Sequence, residues 1–209
     1  MPRGRYSLHD VHDHTLLGEE HFQCAPGPSG WRYISQTTAP SGSHLGSVDL
    51  TLDALGRPLR LELHAGGWQV RGAALEGLTW VRTDPTGTDA SEGNVRGHAF
   101  SGTSPAFLVA TARLLRLTPA SPETRVRVVT FTDPVLAPRT TDQSWALVNS
   151  EAHPTDNGPL HVDEYQVSAL DTGERHTVHL AGDVVLSAPG IELEDLDAPP
   201  SPPSPPPAH

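Results

Sequence analysis

The sequence contains no lysine; all 14 of its cationic residues are arginine. That absence excludes Schiff-base chemistry, a phosphate-cradling P-loop and a Ser–Lys dyad. Cys24 is the single cysteine, so an internal disulfide and a multi-thiolate metal site are excluded as well. No stretch approaches the roughly 18 consecutive apolar residues of a membrane span. Met1–Asp10 lacks the apolar core of a secretory signal. With no such signal and one thiol, the expected compartment is the cytoplasm. Cations are too few and too scattered for a nucleic-acid surface, and the net charge of −11 opposes one. The G-x-S-x-G, H-E-x-x-H and G-x-G-x-x-G patterns are all missing, so the chain reads as non-enzymatic and without a cofactor.

What is present is turn-forming residues and alternation. The 209 residues include 21 proline and 19 glycine, which argues for many short elements rather than long helices. Ser47–Asp53 alternates with Val48, Leu50 and Leu52 on one face. Pro58–His64 alternates again, with Leu59, Leu61 and Leu63 inward and Arg60, Glu62 and His64 outward. The short Gly56-containing turn between them makes a hairpin. Leu16–Cys24 and Trp31–Thr38 read as a second hairpin around a loop over 25–30. Trp68–Val70, Ala74–Arg82, Arg125–Phe131, Ser144–Ser150, His161–Leu170 and Glu174–Ala181 read as further strands, with short pieces near Asp183–Leu186 and Ile191–Leu193. Thr83–Asn94 reads as a polar loop.

Ser104–Leu117 breaks the pattern. Ser104 can cap, Pro105 suits a first helical position, and alanine and leucine dominate. This predicts a mostly buried helix of about three turns. Roughly ten antiparallel strands with one helix over 104–117 covering one side predict a mainly β fold. It would be a curled antiparallel sheet, open or half-barrel, with a two-sheet sandwich as the alternative. Residues 1–15 read as a flexible N-terminal segment and 16–196 as one β-rich domain. Residues 197–209 carry seven prolines in thirteen positions and read as a disordered, extended tail rather than a docking handle.

Trp31, Trp68, Trp80 and Trp145 fall on four separate strands. If their faces converge, they and Phe107 line the wall of a cavity suited to an apolar or amphiphilic small molecule. Arg113, on the helix, can present a fork of donors to a headgroup. Two alternatives remain open. In one, the run His9-Asp10-Val11-His12-Asp13-His14 supplies a metal-dependent enzyme, with His12 and His14 on one face of an extended strand. In the other, the chain is a structural or interaction module with the Pro-rich tail as its handle. Glu19 and Glu20 are adjacent and so lie on opposite strand faces. They cannot pair as an acid and a base, and whichever faces inward needs a partner such as arginine. Cys24 reads as a structural thiol.

The order of several motifs resembles a bacterial family described as glycolipid-binding, whose fold is similar to lipoprotein-carrier half-barrels. The residues that carry the resemblance are Gly18-Glu19-Glu20-His21-Phe22, Trp31-Arg32-Tyr33 and the Gly66–Gly72 strand around Trp68. They continue with Gly102-Thr103-Ser104-Pro105-Ala106-Phe107 followed by Ala112-Arg113-Leu114-Leu115, then Asp133-Pro134 and Gln143-Ser144-Trp145. The family's Asn in the Ser-Pro segment has no counterpart here, and Leu114 stands where it has a second Arg. The resemblance spans Leu16 to Glu194. It implies a half-barrel that binds a lipid or glycolipid.

Overall fold

The computed structural model describes residues 1–27, 30–155 and 158–201. Along the first half run β1 (Arg3–His9), β2 (Leu16–Gly27), β3 (Gly30–Thr38), β4 (His44–Asp53), β5 (Pro58–Ala65), β6 (Trp68–Leu75), β7 (Gly77–Thr83) and β8 (Ala90–Val95). Then come β9 (Ala99–Ser101) and the helix α1 (Ala106–Leu115). The second half holds β10 (Thr124–Thr132), β11 (Ala137–Thr155), β12 (Gly158–Ala169), β13 (Arg175–Ala181), β14 (Val184–Ala188) and β15 (Ile191–Leu196). Among the described residues, all fifteen strands join one sheet, in the order β8-β7-β6-β5-β4-β3-β2-β1-β15-β14-β13-β12-β11-β10-β9. A single sheet replaces the two-sheet sandwich held as the alternative.

The order is two meanders laid back to back. From β1 to β8, and again from β10 to β15, each strand pairs with the next in sequence. The halves are joined by β1 against β15. Every pairing is antiparallel except β9 with β10, where α1 forms the crossover that a parallel pair requires. The outermost strands, β8 and β9, are separated by only Arg96, Gly97 and His98. Four peptide steps reach at most about 14 Å, so the sheet must curl until its two edges approach. Contacts across the curl agree. Trp80 on β7 meets Phe131 on β10 edge to face, with ring centroids 5.9 Å apart. A Cβ built at Gly72 on β6 would lie 2.7 Å from the ring of Phe100 on β9.

Inward-facing apolar residues from both meanders form one core. α1 lies within it, burying Ala106, Phe107, Val109, Ala110 and Ala112, and touches β4, β9 and β14. Its C-terminal end rests on the β4–β5 turn, where a Cβ at Gly56 would stand 2.6 Å from the Leu114 Cα. The expected helix forms, but it begins one residue later than expected, at Ala106, with Pro105 in the capping position. The Ser104 hydroxyl turns inward to donate to Glu20, while accepting from the Ala106 backbone N–H at 3.3 Å at the start of the helix.

Several expectations are corrected. The segment over 1–15 is not a loose end: Arg3–His9 is a central strand paired on both sides, with Tyr6 fully buried. The turn that follows β1 is exposed, as are Met1 and Arg3 at the strand's other end. Within Thr83–Asn94, expected as loop, Ala90–Val95 forms β8. Asn94 donates to the Thr79 hydroxyl and Gly93 lies beneath the Trp80 ring, contacts across strands that no local pattern records. Leu59 was expected inward but is 54% exposed, because the register shifts between Thr51 and Leu52 and Pro58 takes the buried place. The Pro-rich tail lies outside the described residues beyond Ser201. No helix among those residues is long and apolar enough to cross a membrane.

Candidate functional site

The polar centre of the interior is built on β2 and β3. Strand alternation places Gly18, Glu20, Phe22 and Cys24 on the inner face of β2. It places Trp31, Tyr33 and Ser35 on the inner face of β3. Glu20 is 1% exposed. Its Oε1 accepts from the Tyr33 hydroxyl at 2.8 Å and from the Ser104 hydroxyl at 2.7 Å. The Ser35 hydroxyl adjoins the carboxyl without a well-formed hydrogen bond to it. No cation pairs with Glu20 among the described residues. The expected arginine partner is therefore replaced by hydroxyls. Burial raises the Glu20 pKa, and hydrogen bonds from Ser104 and Tyr33 only partly oppose that rise. The same burial holds the Tyr6 and Tyr33 phenols in their neutral form.

Around this acid the aromatic rings form a ladder. Tyr6 stacks on Phe22 at 4.7 Å, Phe22 on Tyr33 at 5.6 Å, and Tyr33 tilts against Trp31 at 5.6 Å. The Arg113 guanidinium lies 5.7 Å from the centre of the Trp31 ring. Burial lowers its pKa, and the neighbouring Asp183 opposes the shift. The Trp31 indole N–H is buried and has no hydrogen-bond partner among the described residues.

Asp183 is a second fully buried acid. Its Oδ1 accepts from the Ser201 backbone N–H at 2.7 Å, and its Oδ2 lies 3.4 Å from the Cys24 Sγ. Burial and this carboxylate push the Cys24 thiol far above its ordinary pKa, so it is an inert structural group.

The expected ligand-binding residues are only partly brought together. Trp31 and Arg113 meet. Trp80 packs on Phe131 and Trp145 on Tyr165, and the Trp145 indole donates to Gln143. Phe107 fills the space beside Gly102. Trp68, half-buried, carries the Arg82 guanidinium 3.5 Å above its ring. The rings all contribute to the one core, but each has its own set of neighbours. At the N-terminal turn, Asp10 accepts from the backbone of His12 and Asp13, and Asp13 accepts from that of Thr15. Its carboxylates are thus engaged in shaping the turn. No group of three or more His, Cys, Asp or Glu side chains is placed for a metal among the described residues. His12 and His14 therefore acquire no ligand set.

The architecture has a counterpart among solved structures. The chain resembles a DUF1089 family protein from Pseudomonas aeruginosa. The two superpose with a TM-score of 0.55 at 15% identity, over 82% of this chain and 89% of the other. At that identity the likeness to the DUF1089 protein is one of fold. No protein-family profile and no curated protein matches the sequence. Sequence reasoning noted that one of Glu19 and Glu20 could face inward but did not assign Tyr33, Ser35 or Ser104 to the acid. The alternation Gly18, Glu20, Phe22, Cys24 is the signal that selects Glu20. Asp183 leaves no such signal, since it stands at the turn between β13 and β14.

Proposed function

We propose that the protein is a non-enzymatic binding protein for an amphiphilic or apolar small molecule, a lipid or glycolipid. The ligand sits on the inner face of the curled sheet beside α1. The observation that carries this reading is the Glu20 carboxyl, buried among aromatic rings and bonded, among the described residues, to hydroxyls. A carboxyl in such a place is costly unless its hydrogen bonds are made. Protonated, it can donate to a hydroxylated headgroup, and in either form it can accept from one. Tyr6, Phe22, Tyr33 and Trp31 offer the apolar surface beside it, and the Trp31 N–H and Arg113 offer further donors. Burying about 400 Å² of an apolar tail contributes about 10 kcal/mol before the losses of freedom on binding. Since Ser104 leads into α1 and is bonded to Glu20, the ligand reaches the acid when residues 102–115 swing outward and its hydroxyl replaces that of Ser104. The likeness to the DUF1089 protein supports the fold that this reading needs, and the resemblance carried by the Gly18–Phe22 and Gly102–Phe107 motifs supports the ligand class.

Native mass spectrometry of the freshly purified protein tests it, together with uptake of monooleoylglycerol as a hydroxylated amphiphile. A retained adduct of several hundred daltons or saturable uptake is expected, weakened by W31A and by E20A. A bare mass together with no saturable uptake overturns the reading.

A further inference from the structure

The link that closes the sheet carries an inference separate from the interior site. Arg96 and His98, between β8 and β9, share an open groove of about 510 Å³ with Arg125, Arg127, Asp142 and Glu76. Three guanidiniums thus converge against two carboxylates on a chain whose net charge is −11. Asp142 arranges two of them. Its Oδ1 accepts from the Arg127 Nε at 2.9 Å, and its Oδ2 accepts from the Nη2 of Arg127 at 3.0 Å and of Arg125 at 2.6 Å. Each guanidinium has five N–H donors, so both keep several free while being held in place. Arg96 is exposed and makes no ion pair among the described residues.

His98 is fixed as well. Its backbone N–H donates to the Arg127 carbonyl at 2.8 Å, and its Nδ1 accepts from the Arg127 N–H at 3.0 Å. An accepting Nδ1 leaves the proton on Nε2, making that atom a donor. Two glycines line the groove where the packing behind it leaves no room for a side chain. A Cβ at Gly97 would lie 2.9 Å from Leu78 Cδ1. Gly77, at φ +112°, would bring one to 2.5 Å from the Val95 carbonyl oxygen.

We propose that this groove binds the phosphoryl group of a small soluble phosphorylated compound. A phosphoryl dianion presents three acceptor oxygens, which suits donors from three guanidiniums and one imidazole better than a carboxylate's two. The phosphoryl group of an anionic lipid has the same chemistry, but the strongly negative chain is repelled by an anionic bilayer. The soluble source is therefore the one assigned.

Inorganic phosphate is the probe. It is titrated into the whole chain near neutral pH, with chloride holding the ionic strength constant, while NMR follows the Gly97 and His98 amides and the arginine Nε–H signals. One saturable site is expected. R96Q and R127Q should each weaken it about tenfold, the effect of losing one charge-assisted hydrogen bond. R139Q should leave it unchanged, because Arg139 pairs with Asp171 away from the groove. Absence of saturation, or equal weakening by R96Q and R139Q, overturns the site. Co-sedimentation compares phosphatidylglycerol with phosphatidylcholine vesicles. Binding to neither is expected, and R96-dependent binding to phosphatidylglycerol overturns the soluble source.

Discussion

At the scale of single residues, Glu20 decides most. Its carboxyl is surrounded by rings and held by the hydroxyls of Tyr33 and Ser104. The native state therefore keeps its proton to a higher pH than the unfolded chain, whose glutamates titrate near 4.5. Between those two values the folded protein binds more protons, so this group's contribution is complete below the unfolded value. It is lost as pH rises through the raised one. Gln at this position keeps the shape and the acceptor but does not titrate. The melting temperatures of E20Q and the natural protein should therefore run parallel below about pH 4.5, and E20Q should gain on the natural protein as pH rises above it. A difference that stays flat across that range would mean Glu20 is not a buried neutral acid. The acid was half legible in the sequence. Adjacency put Glu19 and Glu20 on opposite faces but did not say which faced inward, although the alternation with Phe22 and Cys24 seen in β2 carries that choice. Its partners were not legible, because Ser104 lies 84 positions away and only the packing of α1 brings it there.

At the scale of elements, the docking of α1 depends on the turn between β4 and β5. Gly56 has φ +82° and Gly42 has φ +83°, so alanine pays the same left-handed strain at either site, about 1 kcal/mol. Their surroundings differ. A Cβ at Gly42 meets nothing within 4 Å, whereas one at Gly56 drives into the Leu114 backbone. Overpacking adds about 1–3 kcal/mol. G42A should thus lower stability by about 1 kcal/mol and G56A by about 2–4 kcal/mol in denaturant titrations. G56A should also speed hydrogen exchange over Ala112–Leu115. Equal losses would show that α1 is not seated on this turn. The strands with clean alternation, such as Ser47–Asp53, were readable, and so was the helix from its Ser-Pro start and alanine-rich body. Leu59 was misread because a bulge changes parity without changing composition. β8 was missed because Ala90–Val95 has weak strand propensity and is held by its neighbours.

At the scale of the whole molecule, the topology is almost a ring in sequence. Neighbours along the chain are neighbours in the sheet, and the two places where this fails are the β1–β15 pairing and the β8–β9 seam. The mainly β class and the curl were legible, since hairpin after hairpin of alternating residues leaves few other solutions. The joining of the chain's two halves was not, because it rests on β1, a short segment with only Tyr6 and Leu8 as apolar inward candidates. That strand is where the molecule is most vulnerable. Tyr6 is fully buried, stacks on Phe22, and accepts from the Val185 N–H through its hydroxyl. It thereby ties the first meander to the second. Removing residues 1–9 strips β2 and β15 of their shared partner and opens the core between them. The lost ladder, aromatic burial and unpaired Val185 amide together exceed the 5–15 kcal/mol that holds a typical domain folded. The truncated chain should show no cooperative thermal transition by circular dichroism and should bind hydrophobic dye. A truncated chain that still melts sharply would show that each meander closes its own core and that β1 is dispensable.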